Sequence, residues 1–110
     1  MPATQEASGT QVATVGTEHT LATITTAKTF ALKVDISALV ASERVQLKIK
    51  QKALSAGTSR ISWSAVYSWL DAGVTPIIVS PPQLAPVEYV VTLKQLTGTG
   101  RSFPWAVETP

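Results

Sequence analysis

Arg60-Ile61-Ser62-Trp63-Ser64-Ala65-Val66-Tyr67-Ser68-Trp69 decides the fold class. Large side chains stand at 61, 63, 67 and 69, with the small Ala65 between them, and serines stand at 62, 64 and 68. A repeat of two puts the bulky groups on one face of a β-strand and the hydroxyls on the other, because successive side chains of a strand point to opposite sides. The bulky face of this stretch reads first as a packing face, with Trp63 as a core residue.

The same period recurs on either side. Phe30, Leu32, Val34 and Ile36 alternate with Lys33 and Asp35 over 28–36, and Val45, Leu47 and Ile49 alternate with Gln46, Lys48, Lys50 and Lys52 over 44–53. Val87, Tyr89, Val91 and Leu93 alternate with Glu88, Thr92 and Lys94 over 87–96. A weaker strand over 18–25, with Leu21, Thr23 and Thr25, carries too little apolar mass for anything but an edge. The segment 37–42 breaks the alternation and reads as a wide connection with one helical turn and Leu39 tucked inward. Ser55 to Ser59 reads as a turn joining 44–53 to 60–70 in a hairpin. The prolines at 81, 82 and 86 mark 80–86 as an irregular crossover that contributes no ladder strand, since each removes a backbone donor. Thr97-Gly98-Thr99-Gly100 reads as a second hairpin turn, with Gly100 at positive φ. A last strand over 101–108 contains Pro104 and is expected at an edge.

No helical stripe persists beyond two turns. Strands at this spacing, with turn signals between them, indicate an all-β, single-domain antiparallel β-sandwich or jelly-roll-like barrel. Residues 1–16 lack a sustained period and read as an extended N-terminal arm, loosely held or ordered by a partner; the sandwich domain spans 17–110. Val12 and Val15 are the arm's candidate partner-binding residues.

Composition narrows the chemistry. One domain of 110 residues without cysteine has neither disulfides nor thiolate zinc sites. Nine basic against seven acidic residues give a net charge of +2, too weak a balance for a nucleic-acid partner. The only local excess is Lys48, Lys50 and Lys52, read as a guard against unwanted edge pairing. No apolar run approaches the ~20 residues of a membrane helix, so no membrane partner is expected. Met1 to Glu6 lacks the basic start and apolar centre of a secretion signal.

Candidate reactive groups are sparse. His19, the single histidine, stands beside Glu18 near an edge, where a nucleophilic triad has no support. The carboxylates Glu6, Glu18, Asp35, Glu43, Asp71, Glu88 and Glu108 are scattered, without metal-ligand spacing. Gly98-Thr99-Gly100-Arg101 has the look of a phosphate loop, but Pro104 follows where such a loop needs a helix. Tyr67, Trp69 and Trp105 are open to two readings, sugar-stacking surfaces or inter-sheet packing. No catalytic residue, cofactor or metal site is assigned.

Val91-Thr92-Leu93-Lys94-Gln95, running into Gly98-Thr99-Gly100-Arg101-Ser102-Phe103-Pro104-Trp105, is the distinctive segment. With Val34-Asp35-Ile36-Ser37, Val45-Gln46-Leu47-Lys48-Ile49 and Ala56-Gly57-Thr58, it resembles small proteins encoded among the virion genes of tailed bacteriophages. The likeness covers about residues 18–107. It implies a non-enzymatic virion structural protein, most like a capsid decoration (cement) protein, made in the bacterial cytoplasm and bound to the outer capsid surface. Its implied partner is the major capsid protein; a homo-oligomer at lattice symmetry positions is expected, taken as a trimer, a number the sequence itself does not specify. The alternative is a carbohydrate-binding or tail- and baseplate-associated β-sandwich module.

Overall fold

Two antiparallel sheets divide the strands by their apolar faces. The computed structural model describes residues 4–85 and 87–109. Within them the chain runs β1 (Thr4–Val12), β2 (Glu18–Ile24), β3 (Lys28–Asp35), β4 (Arg44–Gln51), β5 (Arg60–Ser68), α1 (Trp69–Val74), β6 (Ile77–Val79), β7 (Gln83–Ala85), β8 (Tyr89–Thr97) and β9 (Ser102–Thr109). The first sheet has the order β1-β9-β3-β6, with β7 also on β3; the second has the order β2-β8-β4-β5. The fold is an all-β sandwich.

The alternating residues face one another across the gap. Phe30, Leu32, Val34, Ile36, Phe103 and Val107 of the first sheet meet Val45, Leu47, Ile49, Tyr89, Val91 and Leu93 of the second, all of them buried. Each such side chain contributes about 1.5–3 kcal/mol by leaving water. Phe30 and Tyr89 meet with ring centroids 5.1 Å apart, in a tilted pair that joins the layers. The connection 37–42 consists of two successive turns in place of one helical turn, and Leu39 is buried as read.

Several expectations are corrected. The arm is extended, but Thr4–Val12 spends its ladder on β9 of its own sheet, in register from Thr4↔Thr109 to Val12↔Ser102. Unpaired backbone groups are costly, and β9 offers the nearest antiparallel partner for them. β9 is consequently central, not an edge. Its Pro104 is accommodated because β3 pairs only with Ala106, Val107 and Glu108 and with Trp105, so the ladder on that side stops short of the proline. The 80–86 segment does contribute a ladder strand: Gln83–Ala85 pairs with Lys28–Phe30. Pro81 and Pro82 fall between β6 and β7, and Ser80 holds the gap by donating its N–H to Leu32 O (2.8 Å) and accepting from Leu32 N at its hydroxyl (2.9 Å).

The hairpin β4–β5 forms as read, with a bulge. Ile49 faces Trp63, but Lys50 faces Ile61, leaving Ser62 unpaired. The extra residue turns Ile61 to the lysine side of the sheet, where it is 54% exposed. The strand also ends earlier than its alternation suggests. Asp71 accepts hydrogen bonds from Ser68 N (2.8 Å) and Ser68 Oγ (3.2 Å), and so starts α1 at Trp69. Gly98 to Gly100 is no hairpin turn, since β8 and β9 belong to different sheets and the loop crosses between them.

One fully buried core hydroxyl has no partner among the described residues. Tyr89 is fully buried and its Oη makes no hydrogen bond to any described residue; burial pushes its hydroxyl pKa up to about 12. Its neighbour Ser80 uses its hydroxyl on Leu32 N and Pro81 O. Removing an unpaired buried hydroxyl while keeping the ring removes only a desolvation cost. Tyr89→Phe is therefore expected to leave urea stability unchanged or raise it by up to about 1 kcal/mol. A clear loss of stability would show that the hydroxyl is engaged.

Candidate functional site

At one end of the sandwich three connections converge on a single buried carboxylate. Glu43, at the end of the 37–43 connection, is 2% exposed. Its Oε1 accepts from Val40 N (2.9 Å) and Arg101 Nε (3.0 Å); its Oε2 accepts from Thr99 N (3.0 Å) and Arg101 Nη2 (3.0 Å). Gln95, fully buried, completes the tie by donating to Thr97 O (3.0 Å) and Thr99 O (2.7 Å) while its Oε1 accepts from Arg101 N (3.0 Å). The β1–β2 connection joins through Gly16 N to Gln95 O (2.9 Å) and Ala13 N to Arg101 O (2.8 Å). α1 is attached by Trp69 N to Glu43 O (3.1 Å).

This network explains the glycines of the apparent phosphate loop. Gly98 has φ +91°, and a Cβ there would run into the Glu43 side chain. The positive φ expected at Gly100 is thus found at Gly98. Gly100 is required for a different reason: a Cβ would collide with the carbonyl oxygen of Ala13. Arg101, the residue that suggests an anion site, already carries a bidentate carboxylate. Nothing in the sequence marks Glu43, Gln95 and Arg101 as a set, because Glu43 and Arg101 lie 58 residues apart.

The remaining acids are each taken locally. Glu6 pairs with Lys28, Glu18 with Lys48 and Lys50, Glu88 with Lys52, and Glu108 with Lys33. Asp35 accepts from Ser37 N, and Asp71 caps α1. The Lys50 ammonium, helped by Thr92, lowers the pKa of Glu18. His19 Nε2 accepts from Thr14 N (3.0 Å), which fixes the turn before β2. Among the described residues no three of His, Cys, Asp and Glu come together as a metal site. No described helix is long and apolar enough to cross a membrane.

The aromatic residues are not assembled on one face. Trp63 and Tyr67 lie on the inner side of β5, partly buried against the core. Trp105 lies on the inner side of β9, its indole laid over the Cα of Gly9 on the neighbouring strand. Trp69 opens α1, 45% exposed. Trp63 is thus a partly buried rim residue of the core.

The two outer faces differ in chemistry. The lysine row expected to guard an edge stands on β4, an interior strand between β8 and β5. Its ammonium groups lie over β8 and reach Glu18 and Glu88, so they solvate a sheet face. With Arg44 and Lys94, they set five cations against two carboxylates on the outer face of the second sheet. The outer face of the first sheet carries little charge, chiefly Lys33, Glu108 and Asp35, the last opposite Ile77. One row across it reads Ser8, Ala106, Lys33, Val79, and another Gln5, Glu108, Ala31. Lys33 and Glu108 neutralise each other at 2.7 Å. Thr10, Val12, Pro104, Ile77, Val79 and Leu84 stand exposed around them. Of the arm's two candidates, Val12 belongs to this face and is 66% exposed, whereas Val15 is half-buried in the β1–β2 connection.

Comparison with known proteins returns no matching family model, no matching curated protein and no matching solved structure.

The Arg101 guanidinium, with the Val40 and Thr99 amides, holds the Glu43 carboxyl at about 2, against an ordinary 4.5. A carboxylate with a depressed folded-state pKa stabilises the fold above its unfolded pKa and loses that contribution as pH falls through its folded one. Glu43→Gln should therefore cost about 2 kcal/mol at neutral pH. The difference from wild type should shrink as pH drops from about 4.5 to about 2. Urea melts of both proteins across that range check this; a difference that does not vary with pH would contradict it.

Proposed function

We propose that this chain is a non-enzymatic virion structural protein that decorates or cements the outer capsid surface of a tailed phage. It docks on the major capsid protein through the outer face of its first sheet. The observation that carries this reading is the contrast between the two outer faces. One is broad and low in charge, with its single lysine paired, and the other is a solvated lattice of lysines.

A low-charge face of alanines, threonines, serines and valines sheds water at small cost, because few ionised groups must be desolvated. It suits a surface that meets another protein without a deep pocket. The second sheet suits the opposite role, keeping the exterior of a crowded particle hydrated. Decoration needs only modest affinity per copy, since contacts repeated over a lattice add through avidity. The absence of cysteine makes such a coat indifferent to redox conditions. β1, paired with β9 rather than reaching away, serves here as part of the docking face and not as a free arm.

The test is a binding assay on purified heads of the parent phage, stripped of this protein. Thr10→Arg and Val79→Arg each place a charge on an exposed position of the docking face, where folding should be unaffected. Each is expected to lower occupancy at least tenfold, since about 1.4 kcal/mol corresponds to a factor of ten. Lys94→Glu on the opposite face should bind like wild type. Unchanged occupancy of both arginine variants would reject the assignment of this face.

A further inference from the structure

The lysines that were expected to protect a sheet edge lie over an interior strand, and the edge strand itself has a single charge, Arg60 at its start. β5 is the outer strand of the second sheet, nine residues long, with no charged side chain from Ile61 to Ser68. Exposed edges of this kind are ordinarily blunted by lysine, proline, a bulge or brevity, because a row of free N–H and C=O groups templates pairing with another chain. The other edges carry such devices. β1 and β2 each have a bulge, and β6 and β7 are three residues each, separated by Pro81 and Pro82. On β5 the bulge at Ser62, where Gln83 also reaches the Ser62 carbonyl (3.4 Å), and the use of Ser68 N–H by Asp71 leave Trp63 to Tyr67 regular, with no other described strand beside them.

The middle of that stretch sets one large aromatic on either side of the small Ala65. About Ala65, Ser64 stands against Val66 and Trp63 against Tyr67; beyond them the bulge at Ser62 and the start of α1 at Trp69 end the regular strand. In an isologous two-fold contact residue i of one copy meets j of the other while j meets i, so an aromatic on each side of the axis residue sets aromatic against aromatic twice. From it we infer that β5 pairs antiparallel with β5 of a second copy of this chain, about a two-fold axis through Ala65.

In this register the partly buried Trp63 of each copy stands opposite Tyr67 of the other. The small Ala65 pair between them leaves room for both rings. Cross-strand aromatic pairs are among the stabilising units of a sheet. Ser64 faces Val66 on the outer side. The ends are complementary in charge. Arg60, exposed and without an ion pair among the described residues, comes to the start of the second copy's α1, where Asp71 is exposed. Exposed Ile61 approaches exposed Trp69 there.

The result is a continuous sheet of eight strands, four from each copy. Its two-fold axis stands perpendicular to the sheet, so the outer faces of both first sheets point the same way. An edge that pairs antiparallel with its own copy closes at two chains, which favours this dimer over the trimer expected from lattice symmetry. The inference is independent of capsid binding and is tested without capsids.

Sedimentation equilibrium of the purified full chain should give a mass of about 23 kDa, twice the 11.6 kDa of one chain. Val66→Lys, at a position 47% exposed, should shift the mass to that of the monomer with an unchanged far-ultraviolet dichroism spectrum. The chain has no cysteine of its own, so single cysteines report cleanly. Ser64→Cys places two thiols diagonally across the proposed interface, where a bifunctional thiol reagent of about 8 Å reach should link them into dimers. Ser8→Cys on β1 should stay unlinked. A monomeric or trimeric wild type overturns the proposal. So does failure of Ser64→Cys to link in a chain that sediments as a dimer.

Discussion

A sandwich held only by its apolar gap is open at both ends, and in this chain one end is shut by a buried carboxylate. Glu43 accepts from two backbone amides and from the fork of Arg101, fixing the 37–43 connection to the β8–β9 crossing. Burying a charge is unfavourable unless its lone pairs are filled, and here both oxygens are. Gln95 does for the same loop what Glu43 does for its neighbour, filling carbonyl and amide positions that a loop between sheets would otherwise leave bare. The β8–β9 loop therefore crosses between layers at a defined place, and β9 enters the first sheet in its middle. With β9 central, β1 has a strand to pair with, and the outer face of that sheet extends to four strands' width.

The same arrangement distributes the charge. The chain is sparing with ionisable groups, and most of its carboxylates are committed to lysines or to capping backbone amides. Because β4 is interior, the three outward lysines on it and just after it form a solvated lattice with Glu18 and Glu88, while the first sheet's outer face carries mostly uncharged side chains. The functional reading rests on this division. A protein of this build offers surfaces, one broad and dry in character, one hydrated, and one strand edge left open.

Local periodicity made β3, β4 and β8 legible with their inward residues, because alternation of Phe30, Leu32, Val34 and Ile36 or of Val45, Leu47 and Ile49 is a property of neighbouring residues alone. The edge position of β2 followed from its thin apolar content in the same way. Sheet order was not legible. The central place of β9 and the pairing of β1 depend on partners about a hundred residues apart, such as Thr4 and Thr109, and Pro104 pointed the wrong way because its unladdered side cannot be seen in sequence. The lysine row was readable as an outward face but not as an interior strand. One bulge sufficed to move Ile61 off the face that its spacing assigned. Of the polar tie, only the glycines left a mark, and their meaning lay in what they make room for, Glu43 at Gly98 and Ala13 at Gly100.

The central claim is that the outer face of the first sheet is the one turned toward a capsid. A cryo-electron microscopy reconstruction of the parent phage's heads carrying this protein tests it most directly. The account predicts density for β1, β9, β3 and β6 seated on the major capsid protein, with Lys48, Lys50 and Lys52 facing solvent. Heads in which the lysine face is seated on the shell, or in which the protein is found only on the tail, would contradict it.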